Sequence, residues 1–414
     1  MEKSRICIYI NNYGTTNMVM PSLIEANPGM GGTQYEMFLL CELFSKNNIP
    51  FTLLLTHKQQ FSYEIKYEFV DNIESAFDYC NRNKSKYIIL RANDGLKSID
   101  KLKETKIIYW VHNFIDYKSA TLIAKNSKVK KVVFVSQEAA DFYYDHDISK
   151  KGAVIFNAIP SKRVINDKAK KENIVAFIGD LSPYKMFDKL TAIWPKIIKK
   201  NPDAKLLVLG SGDLYGKGKK FGAYRLAEEK FEVKFLKPIL KNNLFGTVEF
   251  AGLVKGDMSQ KISRAKVTVF MNPIETFCIA ATDSIGNGVP VVCPKSTGYC
   301  DVVNKKTGFL FRSKFGAKRY INKILKNKDS LVINEESLGY FKSFQPDTFY
   351  DSWISLLNDL ENDNHKKITH KKNYFVNNKL FVVIMRNIRL ILHLPNCFSR
   401  IGIKWYIAKI LKKN

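Results

Sequence analysis

Short runs of continuous apolar residues alternate along this chain with longer stretches in which apolar positions recur every three or four residues. A strand buried on both faces shows no polar alternation, so the continuous runs predict strands of parallel sheets, and the 3.6-residue period between them predicts helices. In the first half the strand runs are ICIYI (centred on 7–10), FTLLL (51–55), KYIIL (86–90), KIIYWV (106–111), KVVFVS (131–136) and AVIF (153–156), with helices expected at 33–47 and 137–144. The pattern restarts after a polar, charged segment, SKRVINDKAKKEN (161–173). NIVAFIG (173–179), KLLVLG (205–210), VEFAG (248–252), KVTVF (266–270) and PVVC (290–293) follow, with helices expected at 186–200, 219–231, 257–264, 276–287 and 315–326. Strand–helix alternation that starts twice predicts an α/β protein of two doubly wound, Rossmann-like domains, 1–165 and 170–345, facing a cleft. A helix at 347–361, after Pro346, is expected within a segment 346–363 that returns to the N-terminal domain.

Composition adds a location and a charge. Hydrophobic residues are 45% and charged residues 25% of the 414, ordinary values for a globular chain. The seven cysteines are scattered without a C-x-x-C pair, which argues against a disulfide framework or a structural zinc and fits a reducing cytosol. No signal peptide and no uncharged apolar stretch of about 18 residues is read, so a cytoplasmic protein is expected. The formal charge is +27, and residues 365–414 hold twelve Lys and Arg with no Asp or Glu. Within 379–393, Lys379, Arg386, Arg389 and His393 fall on one helical face, and Leu380, Ile384, Ile388 and Ile391 on the other. That basic amphipathic helix predicts a tail lying on an anionic membrane surface at the inner face of the plasma membrane; packing on the protein's own domains is the alternative. No nucleic-acid module accompanies the basic tail, and nucleic acid is not an expected partner.

Chemistry concentrates in three stretches. In NPIETFCIAATDSIGNGVPVV (272–292), a loop after a strand delivers Glu275, Thr276 is placed to cap the next helix, and Asp283 lies two turns along. A helix N-terminus with free N–H groups favours an anion such as a diphosphate; otherwise Glu275 complements the helix dipole and Asp283 is solvated surface. In IVAFIGDLSPYK (174–185), Lys185 opens a helix after a strand that ends at Gly179, either as a phosphate ligand or as a surface lysine. In NPGMGGTQYEMFLLCELF (27–44), Gly31 and Gly32 precede a helix and let a backbone approach a ligand closely. His112, after the strand KIIYWV, and Gly210, in the turn GSGD, complete the candidates.

Glu-x7-acid followed by G-x-P-V-V resembles the signature of glycosyltransferase family 4, retaining enzymes of the GT-B fold; E-T-F-C-I-A-A is similar to one subset of it. The resemblance runs from residue 1 to about 361 and is more specific in its C-terminal half. It implies a retaining, metal-independent transfer from a nucleotide-sugar, with UDP as the base-rate donor, to a saccharide or lipid-linked saccharide of bacterial polysaccharide or lipopolysaccharide synthesis. It carries a donor-sugar contact onto Glu275, a ribose contact onto Asp283, a diphosphate contact onto Lys185, and a donor-sugar contact onto His112. Thr276, Phe277, Cys278, Gly31, Gly32 and Gly210 fall in elements that line the donor site. Gly298 and Asp301, in TGYCD, resemble a downstream element near the nucleotide, and Ser136 and Asn157 match weaker elements, with a structural role as their alternative. Two positions depart from the family pattern. Asp180 stands where it has Arg, and Asp283 where it has Glu. No cofactor and no metal are expected, and no D-x-D stands at a strand end. A nucleotide-sugar epimerase of the same fold, or a non-catalytic scaffold in which Asp180 disables the donor clamp, are the alternatives.

Overall fold

A computed structural model of the chain describes residues 6–362, apart from 14, 16–18, 145, 161–170, 213–219, 255–257, 327–330 and 335. The basic tail expected over 365–414 lies outside the described residues. The chain forms two compact units, one of the described residues up to Ala158 with those from Ser343 to Asn362, the other of Ile159–Lys342.

The first unit is built on β1 (Ile6–Ile10), β2 (Val19–Met20), α1 (Gly32–Lys46), β3 (Phe51–Leu55), β4 (Gln60–Phe61), β5 (Tyr67–Phe69), α2 (Ile73–Asn83), β6 (Tyr87–Arg91), β7 (Lys106–Val111), α3 (Tyr117–Lys125), β8 (Val129–Phe134), α4 (Gln137–Asp141) and β9 (Gly152–Val154). Seven strands make one parallel sheet in the order β5-β3-β1-β6-β7-β8-β9. Its central strands are buried along almost their whole length, as continuous apolar runs require.

The second unit follows the same rule with β10 (Glu172–Ile178), α5 (Phe187–Thr191), α6 (Trp194–Ile198), β11 (Lys205–Leu209), α7 (Glu229–Lys241), β12 (Val248–Gly252), α8 (Met258–Ser263), β13 (Ala265–Val269), α9 (Ile279–Gly286), β14 (Val291–Pro294), α10 (Tyr299–Val302), β15 (Gly308–Phe311) and α11 (Lys314–Lys326). Its six parallel strands run in the order β12-β11-β10-β13-β14-β15. The chain moves outward from β10 to β12, then returns to the other side of β10 with β13. The two central strands therefore flank the point where the winding reverses, the place in such sheets where ligands bind beyond the carboxyl ends of the strands. The last helix, α12 (Pro346–Glu361), belongs to the first unit. Its Trp353 is fully buried and stands edge-on to Trp110 of β7, 4.8 Å between ring centroids.

Three helices differ from the sequence pattern. The helix expected over 186–200 is two short ones, because Pro195 lacks an N–H to continue α5 and instead opens α6. The one expected over 219–231 begins only at Glu229 and runs to Lys241, with Pro238 inside it. The preceding 220–228 is held as a loop by the Glu232 carboxylate, which accepts the backbone N–H groups of Tyr224 (2.9 Å), Leu226 (2.7 Å) and Ala227 (3.3 Å). The helix expected over 276–287 starts at Ile279. Strands β2, β4, β5 and β15 were not evident in the apolar pattern. β5 is an exposed edge of the first sheet, and β15 is a four-residue run at the edge of the second.

Candidate active site at the reversal of the second sheet

The loop after β10 is shaped by two glycines. Gly179 (φ +149°) donates its N–H to Leu209 at 3.0 Å, and Gly210 (φ +145°), which follows β11, donates to Gly252 at 2.8 Å. A Cβ on Gly210 would lie 2.1 Å from the Gly179 carbonyl oxygen, so only glycine fits where these two turns meet. Leu181 then donates to the Ser211 carbonyl at 3.2 Å, and the loop turns to present Tyr184 and Lys185.

The loop after β13 is built on Asn272, which is 2% exposed. Its Oδ1 accepts the Ile274 N–H at 2.9 Å, and its Nδ2 donates to the Ile274 carbonyl (2.8 Å) and to Glu275 Oε1 (3.1 Å). An Asn–Pro start to a turn holds its own backbone in this way. The loop after β14 braces the other side. Thr297 Oγ1 accepts the Glu275 N–H at 3.2 Å, Ser296 donates to the Pro273 carbonyl at 2.7 Å, and Gly298 donates to the Glu275 carbonyl at 2.9 Å. A Cβ on Gly298 would meet the Thr276 carbonyl oxygen at 2.4 Å, which explains the glycine.

The two loops meet. Tyr184 donates its hydroxyl to the Ile274 carbonyl at 3.1 Å, and Lys185 Nζ lies 2.5 Å from Glu275 Oε1. The side chains keep 29% and 14% of their surface exposed, so the pair is sheltered yet open to a ligand. Burial alone would lower the Lys185 ammonium, but the adjacent Glu275 charge outweighs it and holds the group well above its usual value. The pair thus spans the reversal point, with one partner after each central strand.

Thr276 does not cap a helix: the N-cap position of α9 is Cys278, in a left-handed conformation (φ 75°), and no side chain caps it. The loop must first pass behind Gly298, which delays the helix by two residues beyond the expected cap. Phe277 and Cys278 are buried, so these two face the core and a ligand would meet their backbone. The Cys278 thiol is pushed up to about 12 by burial and by the charge of Glu275, which keeps it protonated and unreactive. Asp283 lies on the second turn of α9, half-buried, and Asp301 lies in α10. Asp180 is 8% exposed. Gly210 lines a hollow of about 280 Å³ with Ser211, Arg225, Leu226, Phe250, Gly252 and Leu253.

Gly31, Gly32 and His112 belong to the first unit. Gly31 is the N-cap of α1 with φ −64°, a conformation open to any residue, and Gly32 is the first helical residue; the glycine with a left-handed backbone is Gly29 (φ 94°). His112 follows β7, is 6% exposed and packs on Trp110 at 4.5 Å between ring centroids. Burial, then the nearby Arg91 charge, lowers it to about 3, so the imidazole is neutral at pH 7. Ser136 caps α4, accepting the Ala139 N–H at 3.0 Å, and Asn157 is buried. Tyr184, Asn272, Thr297, Arg225 and Glu232 escaped the sequence reading; only Asn272, in an Asn–Pro dipeptide, carried a turn signal. Among the described residues no group of three His, Cys, Asp or Glu could hold a metal ion.

Residues 158–338 match the family model described as glycosyl transferases group 1. Over this part the chain is similar to group 1 glycosyltransferases. The Lys185–Glu275 pair and the Gly210 hollow both lie inside the matched residues. Solved structures extend the fold to most of the chain. Sucrose-phosphate synthase from Thermosynechococcus elongatus is 14% identical with a TM-score of 0.65, and Anabaena Alr3699/HepE, solved with UDP and glucose, is 13% identical with a TM-score of 0.60. In each case 86% of this chain and 99% of the other are covered. TarM of S. aureus, solved with UDP among its ligands, is 19% identical over 69% of this chain and 58% of its own, with a TM-score of 0.54. The fold is therefore that of GT-B glycosyltransferases. No curated protein sequence matches the chain.

Proposed function

We propose that the chain is a retaining, metal-independent glycosyltransferase that moves a sugar from a nucleotide-sugar, a UDP-sugar by preference, to a saccharide or lipid-linked saccharide. The observation that carries this reading is the Lys185–Glu275 pair across the reversal point of a group 1 domain. An incoming diphosphate takes the Lys185 ammonium, and Glu275, released from it, accepts hydrogen bonds from hydroxyls of the donor sugar. As the anomeric C–O bond to phosphate breaks, charge grows on the leaving diphosphate, and Lys185 offsets it. A preorganised donor of this kind is worth about 2.7–4 kcal/mol. The acceptor oxygen bonds the same face of the anomeric carbon and its proton passes to the departing phosphate oxygen, so configuration is retained. His112, neutral, contributes a hydrogen bond to the sugar and not a charge.

HepE, solved with UDP and glucose, and the lipopolysaccharide outer core galactosyltransferase WaaB (13% identical, TM-score 0.60) support a UDP-sugar donor and a place in bacterial surface-polysaccharide synthesis.

Titration of UDP, GDP, ADP and CMP, with their sugar conjugates, tests the reading. One nucleotide is expected to bind, with affinity reduced in Lys185→Ala. Glu275→Gln is expected to weaken the nucleotide-sugar more than the bare nucleotide. A folded protein that binds none of them would sink the proposal and favour the scaffold.

A further inference from the structure

Helix α11 carries a surface that the sugar-transfer chemistry does not use. Its buried side holds Ala317, Ile321, Ile324 and Leu325. Its exposed residues include Phe315, Arg319, Lys323 and Lys326, spaced by four, four and three, so they form one stripe along the helix. Phe315 is 63% exposed, with Lys314 Nζ 5.6 Å and Lys318 Nζ 6.0 Å from its ring centroid. Beside the stripe, the Phe309 and Tyr320 rings stack at 4.6 Å, with Lys323 over the first and Arg319 over the second. From 302 to 326 there are eight Lys and Arg and no Asp or Glu.

A second basic segment joins this face. The Asn201 amide, after α6, donates to Asn322 Oδ1 at 2.7 Å, both side chains buried, which fixes the end of α6 against α11. Exposed Lys196, Lys199 and Lys200 lie on that end, and residues 189–202 contain no acid.

We propose that this face docks the protein on an anionic phospholipid surface, with Phe315 entering the headgroup region and the surrounding cations meeting lipid phosphates. Charge complementarity selects an anionic partner. An apolar ring held by cations on a convex helix suits an interface that is wet on one side and apolar on the other. A nucleic acid would use the cations but would need a groove or several stacking rings, whereas this face presents one exposed ring on a helix. The proposal is independent of the sugar-transfer reading and of the basic tail.

The test uses the full chain and sedimentation with vesicles of phosphatidylcholine alone, or with about one-third phosphatidylglycerol. Binding is expected only to the anionic vesicles. Arg319→Ala/Lys323→Ala should weaken it about 25-fold, from two cations each contributing at the surface, and Phe315→Ala about tenfold. All three side chains are on the surface, and an unchanged thermal melt will show that the variants fold. Backbone hydrogen exchange over 314–326 should slow on anionic vesicles and not on neutral ones, which separates this face from the tail. Wild-type binding by the variants, with unchanged exchange over α11, would overturn the proposal. So would variants that lose affinity for a duplex oligonucleotide while keeping it for vesicles.

Discussion

Replacing Glu232 with alanine should free the loop 220–228 and, through it, one wall of the Gly210 hollow. Glu232 sits on the first turn of α7 with 1% of its surface exposed, and its carboxylate is the acceptor for three backbone N–H groups. Tyr224 is exposed, and its N–H can turn to water; those of Leu226 and Ala227 are less able to. Each buried donor left unmade costs about 1–3 kcal/mol, so the loop should lose about 2–5 kcal/mol of local stability. Opening on that scale raises amide exchange at 224–227 by a factor of thirty to several thousand, on the order of tenfold for each 1.4 kcal/mol. Arg225 and Leu226 line the hollow, so nucleotide affinity should fall with it, by about tenfold or more. Gly222→Ala provides an independent route to the same state, because its Cβ would lie 2.1 Å from Glu232 Oε1. The assay is hydrogen exchange with mass spectrometry on both variants beside wild type. Unchanged protection at 224–227 in Glu232→Ala would refute the idea that this carboxylate holds the loop.

Three further outcomes are expected. His112 is lowered from 6.5 to about 3 in the folded chain, so the unfolded chain takes up a proton first as pH falls. Its contribution is complete above about 6.5 and is lost toward 3, at up to about 1.4 kcal/mol per pH unit; urea titrations from pH 7 to 4 should show a shallower decline in His112→Gln. Gly210→Ala should cost about 3 kcal/mol or more, since a left-handed backbone and a contact with the Gly179 carbonyl both oppose a side chain, visible as a lower melting temperature with loss of nucleotide binding. Trp353→Ala should cost about 3–5 kcal/mol by opening a void against Trp110, and proteolysis should show the damage in the first unit, with fragments of 171–342 persisting longest.

The strands were legible because a parallel sheet demands continuous apolar runs, and eleven such runs became strands of the two large sheets. Lys185 and Glu275 were legible as separate residues, each at the end of a run. Their meeting was not, since it depends on β10 and β13 being neighbours although β11 and β12 lie between them in sequence. The late start of α9 was hidden for a similar reason: it is enforced by Gly298, more than twenty residues further on, pressing on Thr276 and Phe277. Local periodicity also placed a helix at 219–231, where a carboxylate one residue beyond holds most of that stretch as a loop.

That carboxylate belongs to a recurrent device. On α1, Glu36 accepts the Ala158 N–H at 3.1 Å, and Glu42 accepts the Leu23 N–H at 2.7 Å and the Ser22 hydroxyl at 2.6 Å; both glutamates are fully buried. Asn12, likewise buried, accepts the His57 N–H and donates to the His57 carbonyl, tying the loop after β1 to the loop after β3. Loops at the ends of parallel strands carry N–H groups that no ladder pairs, and a buried acceptor is the remaining way to satisfy them away from water. Helical periodicity reads such glutamates as outward-facing, because the pattern records polarity and not the partner. The distinction matters for finding the site. Glu36, Glu42 and Glu232 accept backbone N–H groups of neighbouring loops and have almost no exposed surface, although Glu42 also pairs with Lys46 at 3.2 Å. Glu275 is held by Asn272 and by a lysine whose side chain keeps 29% of its surface exposed, so the same carboxylate can exchange one partner for a ligand without unmaking a loop. An ion pair that can open while its backbone stays braced by Thr297 and Gly298 is what donor binding requires, and it is the physical ground for choosing Glu275 over the other buried glutamates of this chain.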